Sequence, residues 1–202
     1  MEINNFSIIE PLMHFDEEDR SSFYFIQIIK RRKDKGNEDM ERSERLIKAY
    51  FIDKPLTDSI KNEMISIAKV TNSRIYMTLS PCIKERVVKQ CAKDFFDKVC
   101  NENYNGLHGV LHTACGLNTN CVGKLFLVDI DTKDEQYIEN IEKIINGLSP
   151  ASDTNKIILK VPTLNGYHLI CKPFDRINFK LHFRDIDVHP HNPTLLYFNK
   201  KD

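Results

Sequence analysis

The chain has 202 residues, with 29 lysines and arginines balanced by 29 aspartates and glutamates. That length buries a hydrophobic core without disulfides or a structural metal, so one domain over 1–202 is expected. A formal net charge of zero excludes a broadly basic nucleic-acid coat protein; any grip on phosphate must come from a local patch and be salt-sensitive.

Residues 22–30 are rich in aromatic and β-branched side chains and predict a strand. It runs into Lys30-Arg-Arg-Lys33 and Lys35, five cations in six residues, followed by a charged loop over 34–42 that contains Gly36. Such charge runs are most often solvated loop, but a basic loop at a strand end can also hold a phosphate backbone. Residues 43–52 and 57–70 predict helices; in the second, Ile60, Met64, Ile67 and Ala68 form one apolar stripe that belongs to the core. Residues 73–79 alternate as a strand. Pro81 then opens a long helix whose expected buried face is Val87, Val88, Cys91, Ala92, Phe95, Phe96 and Val99. Residues 101–123 predict a long loop.

The six cysteines form no CxxC pair. Cys82, Cys91 and Cys100 recur every nine residues, which on a helix turns successive thiols to opposite faces, so reduced thiols are the simplest reading. His108, His112, Cys115 and Cys121 have metal-like content, yet Gly106, Gly109 and Gly116 make the segment read as a polar loop rather than a zinc site. Met-Glu-Ile-Asn-Asn at the start has no basic region or long apolar run, so a cytoplasmic protein without membrane contact is expected.

Residues 124–131 form an apolar strand that ends Val-Asp-Ile-Asp131. Alternation puts Asp129 and Asp131 on the same face. Two residues along a strand span roughly 6.6 Å, so two carboxylates leaning together can share ions about 3.5–4 Å apart, the geometry used to move phosphoryl groups. The plainer reading is structural: Thr132-Lys-Asp-Glu135 resembles a capping box opening a helix over 134–148, with Asp131 a polar strand end. Downstream, apolar runs at 157–161 and 167–171 flank Asn165-Gly166, a two-residue hairpin signal. His168 sits just inside the second run. The turn offers Thr163, Asn165 and a glycine backbone, and Lys160 supplies a point charge suited to phosphate. Structurally, Asn-Gly is explained by the turn alone, and an isolated histidine by core packing. A second acidic segment, Arg184-Asp-Ile-Asp-Val-His189, precedes a last apolar strand over 194–198. The element order favours α+β with a mixed sheet.

Three motifs therefore occur in order: Leu127-Val-Asp-Ile-Asp131, Gly166-Tyr-His168 and Ile186-Asp187. Together they resemble the signature of the archaeo-eukaryotic primase superfamily, especially the small primase-like proteins of bacteriophages and mobile elements. The Arg-Arg-Lys after the first strand, Arg74-Ile-Tyr-Met-Thr and the ending Asn192-Pro-Thr-Leu-Leu-Tyr197 are also similar to such proteins.

The resemblance implies an RNA-recognition-motif-like catalytic sheet flanked by helices, in a single primase-like domain with an N-terminal α/β lobe (1–100) and an acidic-motif lobe (101–202). It implies a template-dependent nucleotidyltransferase in which Asp129, Asp131 and Asp187 hold two Mg²⁺ or Mn²⁺ ions and His168 contacts the triphosphate. Asp185 is the alternative third acid; Asp187 is preferred because it follows a hydrophobic residue. Lys160, Thr163 and Asn165 are expected to help hold the nucleotide, with Arg31, Arg32 and Arg74 as candidate contacts to template or nucleotide. The implied partners are nucleoside triphosphates, a single-stranded DNA template and a separate replicative helicase, in a host cytoplasm if the gene is a phage's. Two other classes fit the same acids: a metal-dependent nuclease or phosphohydrolase, and a non-catalytic nucleotide- or nucleic-acid-binding replication or regulatory protein.

Overall fold

The computed structural model describes residues 1–15, 20–190 and 193–200; Asn192 of the C-terminal motif and the terminal Asp202 lie outside them. In chain order the elements are β1 (Glu2–Asn4), α1 (Phe6–Ile9), β2 (Ser22–Arg31), β3 (Glu44–Ile52), α2 (Asp58–Thr71), β4 (Arg74–Met77), β5 (Cys82–Ile83) and α3 (Lys84–Cys100). Then follow α4 (Val110–Gly116), β6 (Phe126–Ile130), α5 (Glu135–Gly147), β7 (Ile157–Pro162), β8 (Tyr167–Cys171), α6 (Arg176–His182), β9 (Asp187–Pro190) and β10 (Thr194–Asn199).

The protein is α+β, built on two sheets. The first has strand order β1-β10-β4-β2-β3, with β5 on β2; the second runs β7-β8-β6-β9. Each of these strand pairs is antiparallel, which corrects the mixed sheet expected from the alternation of strands and helices. The reason lies in the crossovers. Strands β6 and β7, joined through α5, are separated by β8, and β8 and β9, joined through α6, are separated by β6. Co-directional strands are therefore never neighbours.

The sequence of β6 explains the layering. Phe126, Val128 and Ile130 face a core with Ile138, Ile141 and Ile145 of α5 and Phe179 of α6. Leu127 points the other way, into a core shared with Ile26 and Ile28 of β2, Ile75 of β4 and Met64 of α2. Residues of one parity thus belong to the helical layer and those of the other to the space between the sheets. The final strand β10 returns to the first sheet between β1 and β4, so the C-terminal segment stitches the two sheets together.

Several local expectations need correction. Residues 43–52 are not helical but form β3, because eight of their residues pair with the apolar strand β2, and tertiary pairing overrides the weak propensity of Glu-Arg-Leu-Ile-Lys-Ala. Residues 101–123 are not one loop. They contain a 3₁₀ stretch (Tyr104–Gly109) and α4, whose Ala114 and Cys115 are buried against Phe23 and Phe25. Pro81 does not open α3: its carbonyl accepts from Val122 N at 2.9 Å, Cys82 and Ile83 pair with β2, and the helix starts at Lys84. On α3, Val87 is buried, whereas Val88, Phe95 and Phe96 of its expected buried face are exposed.

The stripe of α2 does pack inward, with Met64 and Ala68 buried. The N-cap of α5 is Asp134, whose carboxylate accepts from Gln136 N and Tyr137 N. Thr132 instead accepts from Asp134 N at 3.2 Å, so the capping box is replaced by an Asx-type cap closer to the helix. Among the described residues no helix is long and apolar enough to cross a membrane.

Candidate active site

The acidic strand, the histidine strand and the late aspartate meet in one row. In the ladder, Asp129 of β6 lies directly opposite His168 of β8 and, on its other side, opposite Asp187 of β9. Directly paired residues of an antiparallel sheet share a face. Ile186 and Val188 pack in the helical core, so Asp187 and His189 are on the Asp129 face. Asp185 precedes β9 and lacks this register.

His168 is wedged between the two sheets. Its side chain is 12% exposed, with Nε2 3.6 Å from Asp129 Oδ1 and Nδ1 3.1 Å from Thr194 Oγ1 of β10. Burial, reinforced by nearby His189 and Arg74, lowers its pKa to about 4, so at neutral pH the ring is uncharged and presents one N–H and one acceptor nitrogen. Asp129 is half-buried. Burial first, and then the charge of Asp131, raises its pKa above the usual carboxylate value.

Both acids open onto a cavity of about 830 Å³ between the sheets, a size typical of small-molecule sites. Its opposite wall is cationic, with Arg31, Lys33, Lys35 and Arg74. The basic loop that carries two of them is anchored. Asp34, only 3% exposed at its side chain, pairs with Arg74 through both carboxylate oxygens. Asn37 Nδ2 donates to the carbonyls of Arg31 (3.1 Å) and Asn72 (2.9 Å), and Asn72 Nδ2 donates to Lys35 O at 2.8 Å. Asn72 adopts a left-handed conformation as the C-cap of α2. Arg31 is oriented by Glu44 at 2.9 Å and donates to Tyr76 Oη at 3.0 Å. Arg74 also stacks over Phe198, 4.3 Å from the ring centre.

The turn between β7 and β8 supplies Thr163 and Asn165 to the cavity. Its loop is Thr163–Gly166, longer than the two residues expected, because β7 and β8 stop pairing at Pro162 and Tyr167. Thr163 Oγ1 accepts from Gly166 N, and Thr163 N donates to Gly166 O. A Cβ on Gly166 would come within 1.9 Å of Ile130 O and 2.7 Å of Thr132 N. The glycine is thus required by the close approach of the turn to the backbone on either side of Asp131, not by approach to a ligand.

Two expected contacts are elsewhere. Arg32 is exposed and does not line the cavity. Lys160 lies outside the cavity, bound to Glu135 of α5 at 2.6 Å and over the ring of Tyr167. Asp187 is exposed and its carboxylate sits 3.4 Å from Lys180 Nζ, outside the cavity lining. As the side chains stand, no group of three or more His, Cys, Asp or Glu among the described residues is gathered to hold a metal ion. The donors nevertheless suit a hard cation: Asp129 and Asp131 present carboxylate oxygens to the cavity, and Mg²⁺ is commonly held by one or two carboxylates plus substrate phosphates. Cys115 and Cys121, weighed as zinc ligands, turn inward to a buried cluster with Cys82, where Cys82 Sγ and Cys121 Sγ are 3.5 Å apart.

The cavity lining also includes Asp34, Tyr76 and His189, with Asn37 and Asn72 bonded to each other behind the basic loop and Thr194 holding His168; none of these is among the expected contacts. A single aspartate inside a run of five cations was the available signal for Asp34. The alternation Asp187-Val-His189 was the signal for His189. No protein-family profile, curated protein or solved structure matches this chain.

Proposed function

We propose that the protein is a metal-dependent nucleotidyltransferase of the primase type, joining nucleotides on a single-stranded DNA template. The observation that carries this reading is the paired His168 and Asp129, with Asp131 beside them, facing a cationic wall across a nucleotide-sized cavity, while Asp187 stands next in the same row just outside the cavity lining. The β6-α5-β7-β8-α6-β9 connectivity, with both crossovers split by another strand, supports an RNA-recognition-motif-like core.

Asp129 and Asp131 would hold Mg²⁺ or Mn²⁺ together with triphosphate oxygens, and Asp187 would join them by leaving Lys180. The cation, when bound, supplies Lewis acidity at the phosphoryl group and lowers the pKa of a 3′-hydroxyl. Lys33, Lys35 and Arg31 draw the triphosphate to the wall facing the acids, so that its negative charge lies between cations on both sides. His168, neutral and held by Thr194, donates a hydrogen bond without adding charge. Thr163 and Asn165 border the same space and restrict how the nucleotide enters.

The test is incubation of purified protein with Mn²⁺ or Mg²⁺, labelled nucleoside triphosphates and unstructured single-stranded DNA. Products longer than the input, absent with Asp131→Asn, support the proposal. Shortened DNA or released phosphate without lengthened product assigns the site to hydrolysis, and nucleotide binding insensitive to chelation assigns it to a non-catalytic binder.

A further inference from the structure

Helix α3 is 17 residues long, about 25 Å by helical rise, yet much of its apolar surface faces outward. Val88 is 65% exposed, Phe95 47% and Phe96 66%, and Ala92 between them is exposed as well. Phe95 and Phe96 meet edge to face with centroids 6.0 Å apart. Large apolar side chains grouped on a single exposed helix face mark an interaction surface rather than random exposure.

The order of residues on that face is symmetrical. At about 100° per residue, Val88 and Phe96 lie about 40° to either side of Ala92, one turn above and one turn below it. The i, i+4, i+8 spacing is the ridge used in the commonest class of helix packing, and a small residue at its centre lets two backbones approach. A large-small-large ridge presents bulk on both sides of its centre, which suits a two-fold contact centred on Ala92, where each contact between the copies is made twice.

We propose that this face binds a second copy of the chain, with two α3 helices antiparallel and crossing at Ala92. In that arrangement Val88 of one copy meets Phe95 of the other, and the Lys89 ammonium, on the flank of the stripe, lies over the second copy's Phe96 ring. Lys89 already pairs with Glu85 on its own helix at 2.5 Å, so its charge stays solvated at the rim. The mixed signs along α3, with Lys89 and Lys93 beside Asp94 and Asp97, disfavour a lipid surface or a nucleic-acid backbone as occupant. None of the α3 residues lines the cavity between the sheets, so the contact leaves the candidate site open. One helix pair of this length makes a small interface, so association is weak and concentration-dependent.

Sedimentation velocity across the micromolar range tests this. The wild-type chain shifts from one to two copies in mass as concentration rises, and Phe96→Asp stays a monomer while retaining the wild-type circular dichroism spectrum. Ala92→Cys, combined with Cys91→Ser and Cys100→Ser, gives a disulfide-linked dimer with oxidised glutathione, because the two-fold axis brings the two new thiols together. A wild-type monomer at every concentration overturns the proposal. So does a dimer that survives Phe96→Asp or gives no covalent link through Ala92→Cys.

Discussion

Asp129 and His168 are directly paired across β6 and β8, with 3.6 Å between Oδ1 and Nε2, and burial drives both toward their neutral forms. The imidazole is held uncharged and the carboxylate is reluctant to ionise. Such a pair is poorly suited to stabilising the fold and well suited to receiving a cation and a phosphate.

Asp129→Asn therefore has opposite effects on activity and stability. Under the proposed function it removes one of the carboxylates that would hold the cation, and metal-dependent product formation falls by about 10²-fold or more. It also removes a carboxylate whose ionisation the fold opposes. A raised pKa gives stability that is present at low pH and lost as pH rises through the folded value. At pH 7 the variant melts above wild type; thermal unfolding monitored by circular dichroism measures the difference.

His168 gives the reverse dependence. Its folded pKa is depressed to about 4 from 6.5, so the unfolded chain takes up a proton first as pH falls. The associated stability is fully present above pH 6.5 and is lost on descending toward the folded value, on the order of 3 kcal/mol at full extent. Denaturant unfolding across this window shows the slope, and His168→Gln flattens it.

Asp34→Asn tests the anchor of the basic loop. The substitution leaves the Arg74 guanidinium without its buried counter-charge, and removing one partner of such a pair costs about 3–5 kcal/mol. Nucleotide affinity falls with it, because Lys33 and Lys35 lose their fixed approach to the cavity. Urea unfolding gives the first effect and titration calorimetry with a nucleoside triphosphate the second.

Gly166→Ala forces apart the turn and the end of β6. Overpacking against backbone costs about 1–3 kcal/mol, and the displaced Asp131 lowers metal-dependent activity more than His168-dependent pH behaviour. Melting temperature and activity of this one variant, compared with Asn165→Ala, separate the close approach from the neighbouring side chain.

How far the sequence reveals this arrangement depends on the range of the interactions. The Val-Asp-Ile-Asp strand, the strand carrying His168 and the strand ending in Arg31 are local patterns, with alternation and turn residues agreeing, and the structure has strands there. The stripe on α2 is equally local. The helix expected at 43–52 fails because its conformation is decided by pairing with β2, and the buried face expected for α3 fails because amphipathic spacing says that a face is apolar, not that the same chain covers it. The mixed sheet fails because order along the chain does not tell which strands become neighbours. At the cavity, Asp129, Asp131 and His168 are legible from alternation and the turn, whereas Asp187, grouped with them in the sequence, shares their row but stands outside the lining. The cationic wall is only half legible: the run of lysines and arginines is plain, but which of them face the cavity depends on the Asp34–Arg74 pair and the Asn37–Asn72 bonds, made between residues some 35 to 40 positions apart. Lys160 shows the limit from the other side, since its charge is used by Glu135 on the helical face.

The most direct test is diffraction from crystals soaked with Mn²⁺ and a non-hydrolysable nucleoside triphosphate analogue, using manganese anomalous scattering to locate the ion. An ion is expected at metal–oxygen distance, about 2.1 Å, from both Asp129 and Asp131, with the triphosphate between it and Lys33, Lys35 and Arg31. An ion bound away from these two carboxylates, or a triphosphate seated outside the cavity between the sheets, would rule out the proposed role of the acids.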